Sequence, residues 1–163
     1  MTDQVVKVSR LDANDKIAIV SINRPEHYNS LTAQVLNGLK DAAEELTEMS
    51  DVRAVILTGE GNYFSSGADF SLLMALQNAE DINEARIMAA KGAQVCDAWE
   101  AMPQPTIVAI EGGVVVGGLA IAMACDWRVM SEDSYAYVPE VKVGLNYGMG
   151  SLPRLTRLVG PAK

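Results

Sequence analysis

The segment Ile110-Glu-Gly-Gly-Val-Val-Val-Gly-Gly-Leu-Ala-Ile-Ala-Met-Ala-Cys-Asp126 constrains the fold more than any other part of this chain. An apolar strand runs into a glycine corner, a second glycine pair follows, and a short apolar helix begins. At Gly117 and Gly118 the missing side chains let the backbone come close to a ligand. A helix starting there also presents unpaired N–H groups and the positive end of its dipole. Such a corner suits an oxygen that acquires negative charge, although glycine pairs at strand–helix corners more often serve packing.

The rest of the chain alternates strand with helix. Apolar, β-branched runs predict strands over residues 5–8 and 17–22, the second ended by Arg24-Pro25. Leu31, Val35, Leu39, Ala42 and Leu46 recur at three- and four-residue steps, one buried stripe of a helix over 32–49. A strand over 52–58 is closed by Gly59 and Gly61. A helix over 81–102 is stopped by Pro103 and Pro105. Strands follow at 106–110 and 127–130. A short helix over 152–159 takes Gly160 as its C-terminal cap, and Pro161 resembles the first position of another helix. This alternation predicts an α/β fold with largely parallel strands and right-handed crossovers.

Composition narrows the class. The 163 residues suffice for one domain with a real core, and 49% hydrophobic with 21% charged residues describes a soluble globular chain. A formal charge of −8 without a basic stripe argues against nucleic-acid binding. The start of the chain lacks a basic-plus-apolar leader, and the apolar run over 114–125 is too short and too rich in Gly and Ala to span a membrane. Cys96 and Cys125 are far apart, without metal-like spacing, which suggests a reduced, cytoplasmic protein.

Three further blocks accompany the glycine corner: Ile22-Asn-Arg-Pro-Glu-His-Tyr-Asn-Ser-Leu31, Tyr63-Phe-Ser-Ser-Gly-Ala-Asp-Phe70 and Tyr137-Val-Pro-Glu-Val-Lys-Val-Gly-Leu145. In this order and at these separations the four blocks resemble the crotonase superfamily, the enoyl-CoA hydratase/isomerase group, over essentially the whole chain. The resemblance implies a spiral of ββα units over residues 1–163, a core domain that ends before the helices that build the trimer in that family. It implies an acyl-CoA thioester as substrate, with coenzyme A as part of that substrate and no metal or redox cofactor. It also implies a homotrimer or dimer of trimers.

Carried over residue by residue, the resemblance makes the backbone N–H groups of Ala68 and Gly117 the holders of a thioester enolate oxygen. Gly118 adjoins them, and Ser66, Asp69, Phe70 and Ser71 would line the thioester and pantetheine path. Asp69 serves equally well as the N-cap of a helix over 70–76. Glu26 and Tyr28 would lie near the nucleotide, with Arg24 structural. Glu140, beside Pro139, matches the family's second catalytic carboxylate. Val138, Val141 and Val143 predict that its segment is partly buried, and a desolvated carboxylate there suits proton shuttling.

One departure matters more than these matches. Hydratases of the family carry another glutamate three positions beyond the oxyanion glycine, where this chain has Ala120. Two carboxylates hold and activate water, whereas one suffices to move a proton between C2 and C4. The expectation is therefore a Δ3,Δ2-enoyl-CoA isomerase-like reaction or a one-glutamate hydratase. The competing class is a non-catalytic protein of the same fold that binds CoA esters or partners. His27, the only histidine, could join Ser65 or Ser66 and Asp69 in a hydrolase triad. Neither serine lies in a Gly-x-Ser-x-Gly elbow, which disfavours that arrangement. The methionines, Met123, Met130 and Met149 among them, read as core filler.

Overall fold

The computed structural model describes residues 4–162. Strands β1 (Val6–Leu11) and β2 (Asn14–Ile22) pair antiparallel, with Val8 opposite Val20. Alternation along β2 buries Ala18, Val20 and Ile22 completely. Pro25–His27 then form a 3-10 turn, as the proline ends the strand. Helix α1 (Ala33–Thr47) starts where the Thr32 hydroxyl accepts the Val35 N–H at 3.2 Å. Its buried face is Val35, Leu36, Leu39, Ala42, Ala43 and Leu46. Each buried leucine there contributes about 1.5–3 kcal/mol relative to exposure.

Strand β3 (Ala54–Gly59) leads into α2 (Phe70–Gln77) and α3 (Ile82–Glu100). Asp81 caps α3 by accepting the N–H groups of Asn83 and Glu84. Strand β4 (Thr106–Ile110) is followed by β5 (Gly113–Val115) and α4 (Gly117–Ala124). The order closes with β6 (Trp127–Met130), β7 (Tyr135–Tyr137) and α5 (Ser151–Val159).

Two sheets result. The larger runs β1-β2-β3-β4-β6, parallel from β2 onward; the smaller pairs β5 with β7, also parallel. Single parallel bridges, Leu31 to Ala68 and Ser65 to Val114, extend the small sheet across the earlier coils. Each coil therefore supplies a long strand to one sheet, a short rung to the other, and then a helix. This is the expected spiral of ββα units. Trp99 of α3 is fully buried and donates its indole N–H to the Leu39 carbonyl at 3.0 Å, joining α3 to α1.

The elements differ from expectation mainly at their ends. The helix expected over 32–49 loses Thr32 to its cap, and the one over 81–102 ends at Glu100. The strand expected from residue 52 begins at Ala54, because the Val52 N–H turns back to Met49. Strands β5 and β7 are additional, each of three residues. Residues 161–162 form a turn. Lys163 and the N-terminal Met1–Asp3 lie outside the described residues. Among those described, no helix is long and apolar enough to cross a membrane.

Candidate active site

The rungs of the small sheet bring the separated sequence blocks together. Ser65 donates its N–H to Gly113 at 3.2 Å and accepts that of Val115 at 3.0 Å. Val114 in turn stands opposite Ala136 of β7. Ala68, Gly117 and Pro139 each follow this row by three residues in the chain, with Leu31 bridged to Ala68 on the other side. Parallel neighbours end on the same side, so the residues that follow them leave the sheet at one edge.

Glycine is required at this edge. Gly67 has φ +87°, and a Cβ there would lie 2.7 Å from Val116 Cβ and 2.8 Å from the Val115 carbonyl oxygen. A Cβ on Gly118 would meet Ser65 Cβ at 2.7 Å. At Gly117 it would meet side-chain ends only, Met149 Sδ at 2.9 Å and Leu31 Cδ1 at 3.0 Å. Between the two corners, Val116 holds φ 50° and ψ −118°. For a β-branched residue this is costly, of order 1–3 kcal/mol.

Main-chain donors are left over at this corner, those of Ala68 and Gly117 among them. No backbone carbonyl among the described residues accepts the Ala68 N–H; the Leu31 N–H goes to Gly67 and the Asp69 N–H to Leu31. Helix α4 makes its first intrahelical bond from the Ala120 N–H to the Val116 carbonyl at 3.1 Å, so the Gly117 N–H has no acceptor within the helix.

Glu140 opens a 3-10 turn, Glu140–Val143, immediately after Pro139. It is only 5% exposed, and its Oε2 is buried without a hydrogen-bond partner among the described residues. The valines expected to bury this segment do not: Val138 is 36% and Val141 84% exposed. Side chains on a 3-10 turn advance by a third of a revolution per residue, so Glu140 turns inward while Val141 turns out. The Val143 side chain lies outside what the structure describes.

Two polar residues escaped the sequence reading. Tyr147 is 8% exposed and donates its hydroxyl to the Val116 carbonyl at 3.3 Å. Burial pushes this phenol well above the usual tyrosine range, and the negative charge of Glu140 adds a smaller share. Ser151 is fully buried, and its Oγ has no partner among the described residues. Both flank a turn with positive φ at Met149 (58°) and Gly150 (66°). Arg154 steadies that turn, bonding the carbonyls of Met149 (3.4 Å) and Gly150 (3.2 Å) and pairing with Asp97 and Glu100 of α3. Met149 is more than core filler, since it packs between Gly92 of α3 and Gly117. The sequence signal was available: a tyrosine among glycines directly downstream of Glu140.

The first loop is fixed from within. Arg24 donates to the Ser30 carbonyl and hydroxyl, both at 2.8 Å, and to Asp69 Oδ2 at 3.2 Å. Asp69 also caps α2 through the Ser71 N–H at 3.0 Å, and accepts the hydroxyls of Ser71 at 2.6 Å and Ser30 at 2.7 Å. These hydroxyl bonds from Ser71 and Ser30, with Arg24 adding a smaller share, hold the Asp69 carboxyl far below the ordinary carboxylate range. Ser66 is half-buried, its N–H on the Tyr28 carbonyl at 2.9 Å, whereas Phe70 is 74% exposed at the head of α2. Glu26 and Tyr28 are exposed on the first turn, the Tyr28 ring edge-on to Tyr63 at 5.5 Å. The possible triad does not assemble. His27 is exposed beside Glu26, the Ser65 hydroxyl bonds the Asn29 carbonyl, and Asp69 faces Arg24. Ala120 is fully buried in the apolar α4, so that helix brings no carboxylate to the corner.

Ala68, Gly117, Gly118, Pro139 and Glu140 thus follow rungs that end at one edge of the small sheet. Ser66, Asp69, Phe70 and Ser71 flank Ala68 in the chain, and the turn of Glu26 and Tyr28 is tied to Ser66 through the Tyr28 carbonyl. Known proteins resemble this chain in sequence and in fold. The model of the enoyl-CoA hydratase/isomerase family matches residues 12–163. The crotonyl-CoA hydratase of Syntrophomonas wolfei is 37% identical over 152 residues, which cover 93% of this chain and 57% of that protein. The short-chain-enoyl-CoA hydratase of Clostridium acetobutylicum is 37% identical over 151 residues, covering 92% and 56%. The solved enoyl-CoA hydratase from Bacillus anthracis superposes with a TM-score of 0.86 at 30% identity, covering 96% of this chain and 59% of the other. An enoyl-CoA hydratase/isomerase from Xanthobacter autotrophicus Py2 gives 0.86 at 30%, covering 96% and 56%. The chain spans less than two thirds of the length of each of these relatives. With the spiral, the glycine corners and these matches in place, the chain belongs to the enoyl-CoA hydratase/isomerase family.

Proposed function

We propose that this protein acts on enoyl-CoA thioesters, with the Ala68 and Gly117 N–H groups holding the thioester oxygen and Glu140 as sole acid/base. The carrying observation is the buried, unpartnered Glu140 Oε2, one residue beyond Pro139, which follows its rung as Ala68 and Gly117 follow theirs. In this reading Glu140 removes a C2 proton from a 3-enoyl thioester. The freed pair forms a C1–C2 double bond as the carbonyl pair moves onto the oxygen between the two N–H groups. Collapse of that dienolate re-forms C1=O and shifts the double bond to C2–C3, and the C3–C4 pair takes the proton back from Glu140 at C4 to leave the 2-enoyl product. Each donor would contribute about 3–4 kcal/mol to the transition state. Ala120 favours this migration over hydration, because a second carboxylate to hold water is missing from α4. The same alanine supports a second reading, a CoA-ester-binding protein without turnover. The rest of the proposal follows the family: coenzyme A enters as part of the substrate without a further cofactor, and copies assemble as trimers in the cytoplasm. Exposed Trp127, Val129 and Val141 support assembly by offering apolar surface.

The test offers 3-enoyl-CoA and 2-enoyl-CoA to the full-length protein and to Glu140→Gln, which keeps the shape and removes the base. Migration should fall by about 10²- to 10⁴-fold in the variant. Full activity of the variant on both substrates sinks the single-glutamate mechanism, and an inactive parent leaves the binding reading standing.

A further inference from the structure

We infer that Tyr147 is a positioning residue for the oxyanion corner, holding the carbonyl of the Val116–Gly117 peptide and so directing that same peptide's N–H. The inference rests on the reading of Gly117 as an oxyanion donor. A peptide unit is planar and, here, trans, so its C=O and N–H point in opposite directions and turn together. Val116 sits in a conformation that its own side chain disfavours, and something must hold it there. Its N–H is fixed by the Tyr137 carbonyl at 3.1 Å, and its carbonyl takes the Ala120 N–H at 3.1 Å and the Tyr147 hydroxyl at 3.3 Å. The phenol is the only side chain among these holders. A donor on the carbonyl also polarises the peptide and strengthens its N–H as a donor. Tyr147 also lies within electrostatic reach of Glu140, which raises its pKa.

The experiment uses full-length protein and a 2-enoyl-CoA labelled with ¹³C at the thioester carbonyl, whose infrared stretch reports polarisation by the two N–H groups. In the parent, binding lowers the stretching frequency. In Tyr147→Phe this lowering should shrink by about half and kcat fall about 10-fold, with affinity for free CoA unchanged. Replacing Tyr147 with 3-fluorotyrosine, a stronger donor of nearly the same shape, should enlarge the lowering. That arm also serves if the Phe variant does not fold. A folded Phe variant with the full parental lowering and turnover overturns the inference alone, as does a fluorotyrosine protein with an unchanged carbonyl. Equal losses of turnover and free-CoA affinity assign Tyr147 to packing and overturn it too. A parent with neither carbonyl shift nor turnover overturns the proposed function, and this inference with it.

Discussion

Substituting alanine at Gly67 and, separately, at Gly117 tests whether the two corners are held together by main-chain contact. At Gly67 the residue must keep φ +87°, which costs a side chain roughly 1–2 kcal/mol. Its methyl would also sit 2.7 Å from Val116 Cβ and 2.8 Å from the Val115 oxygen. Ordinary contacts lie near about 3.5–4.0 Å, so the rungs must part by roughly 0.7 Å or more. Overpacking of this kind adds about 1–3 kcal/mol. The sum is about 2–5 kcal/mol, a large fraction of the roughly 5–15 kcal/mol that holds a domain together. Gly117 lacks positive φ, and its methyl meets only the ends of Met149 and Leu31, which can swing aside. Its expected cost is below about 1.5 kcal/mol. Urea denaturation followed by circular dichroism separates the two: Gly67→Ala should lower the midpoint by about 1–2 M, Gly117→Ala by well under 1 M. Equal midpoints for the two variants would refute the contact argument.

Three other outcomes are expected. Ala120→Glu should raise hydration of 2-enoyl-CoA relative to double-bond migration while lowering the melting temperature, since the position is fully buried; an unchanged ratio in folded protein counts against the role given to Ala120. Asp69→Asn keeps the cap but loses the charged bonds to Arg24, Ser30 and Ser71, worth about 1.5–3 kcal/mol. Because the folded-state carboxyl is shifted down, that deficit should be complete at neutral pH and shrink as pH falls below about 4, the unfolded value, in acid-titrated unfolding; a pH-independent deficit would contradict it. Cys96 and Cys125 are both buried and pushed up to about 12 by desolvation, so a thiol reagent at pH 8 should label them only after unfolding; prompt labelling of native protein would show the burial to be wrong.

Most of the frame was legible because its signals are local. The α1 stripe from Val35 to Leu46 and the strands over 106–110 and 127–130 follow from periodicity and from Pro and Gly boundaries. Strands β5 and β7 were not, since three residues carry no period and their pairing is fixed by partners far along the chain. Glu140 was found by motif, but the reason given for its burial failed. The flanking valines were read as burying the segment, but on the 3-10 turn Glu140 points inward while Val138 and Val141 are exposed. Tyr147 and Ser151 stayed hidden because a polar residue in a glycine-rich turn normally faces water. Only the positive φ at Met149 and Gly150, with Arg154 beneath, folds that turn inward.

The rungs that join Ser65 to Val114 set a length as well as a register. Neighbouring strands of any sheet lie about 4.8 Å apart. Two N–H groups that share one oxygen at about 2.9 Å each, at a near-tetrahedral angle, stand roughly 4.7 Å from one another. The pitch of the coil therefore matches the span of a twice-bonded oxygen, leaving a side chain such as Tyr147 only the direction of the N–H to set. Substitutions around Ala68 that preserve the main chain should leave that span alone. If Ala68 and Gly117 hold an oxygen as proposed, what distinguishes one reaction from another is free to vary one step away, at positions such as Ala120 and Glu140, without moving that main chain.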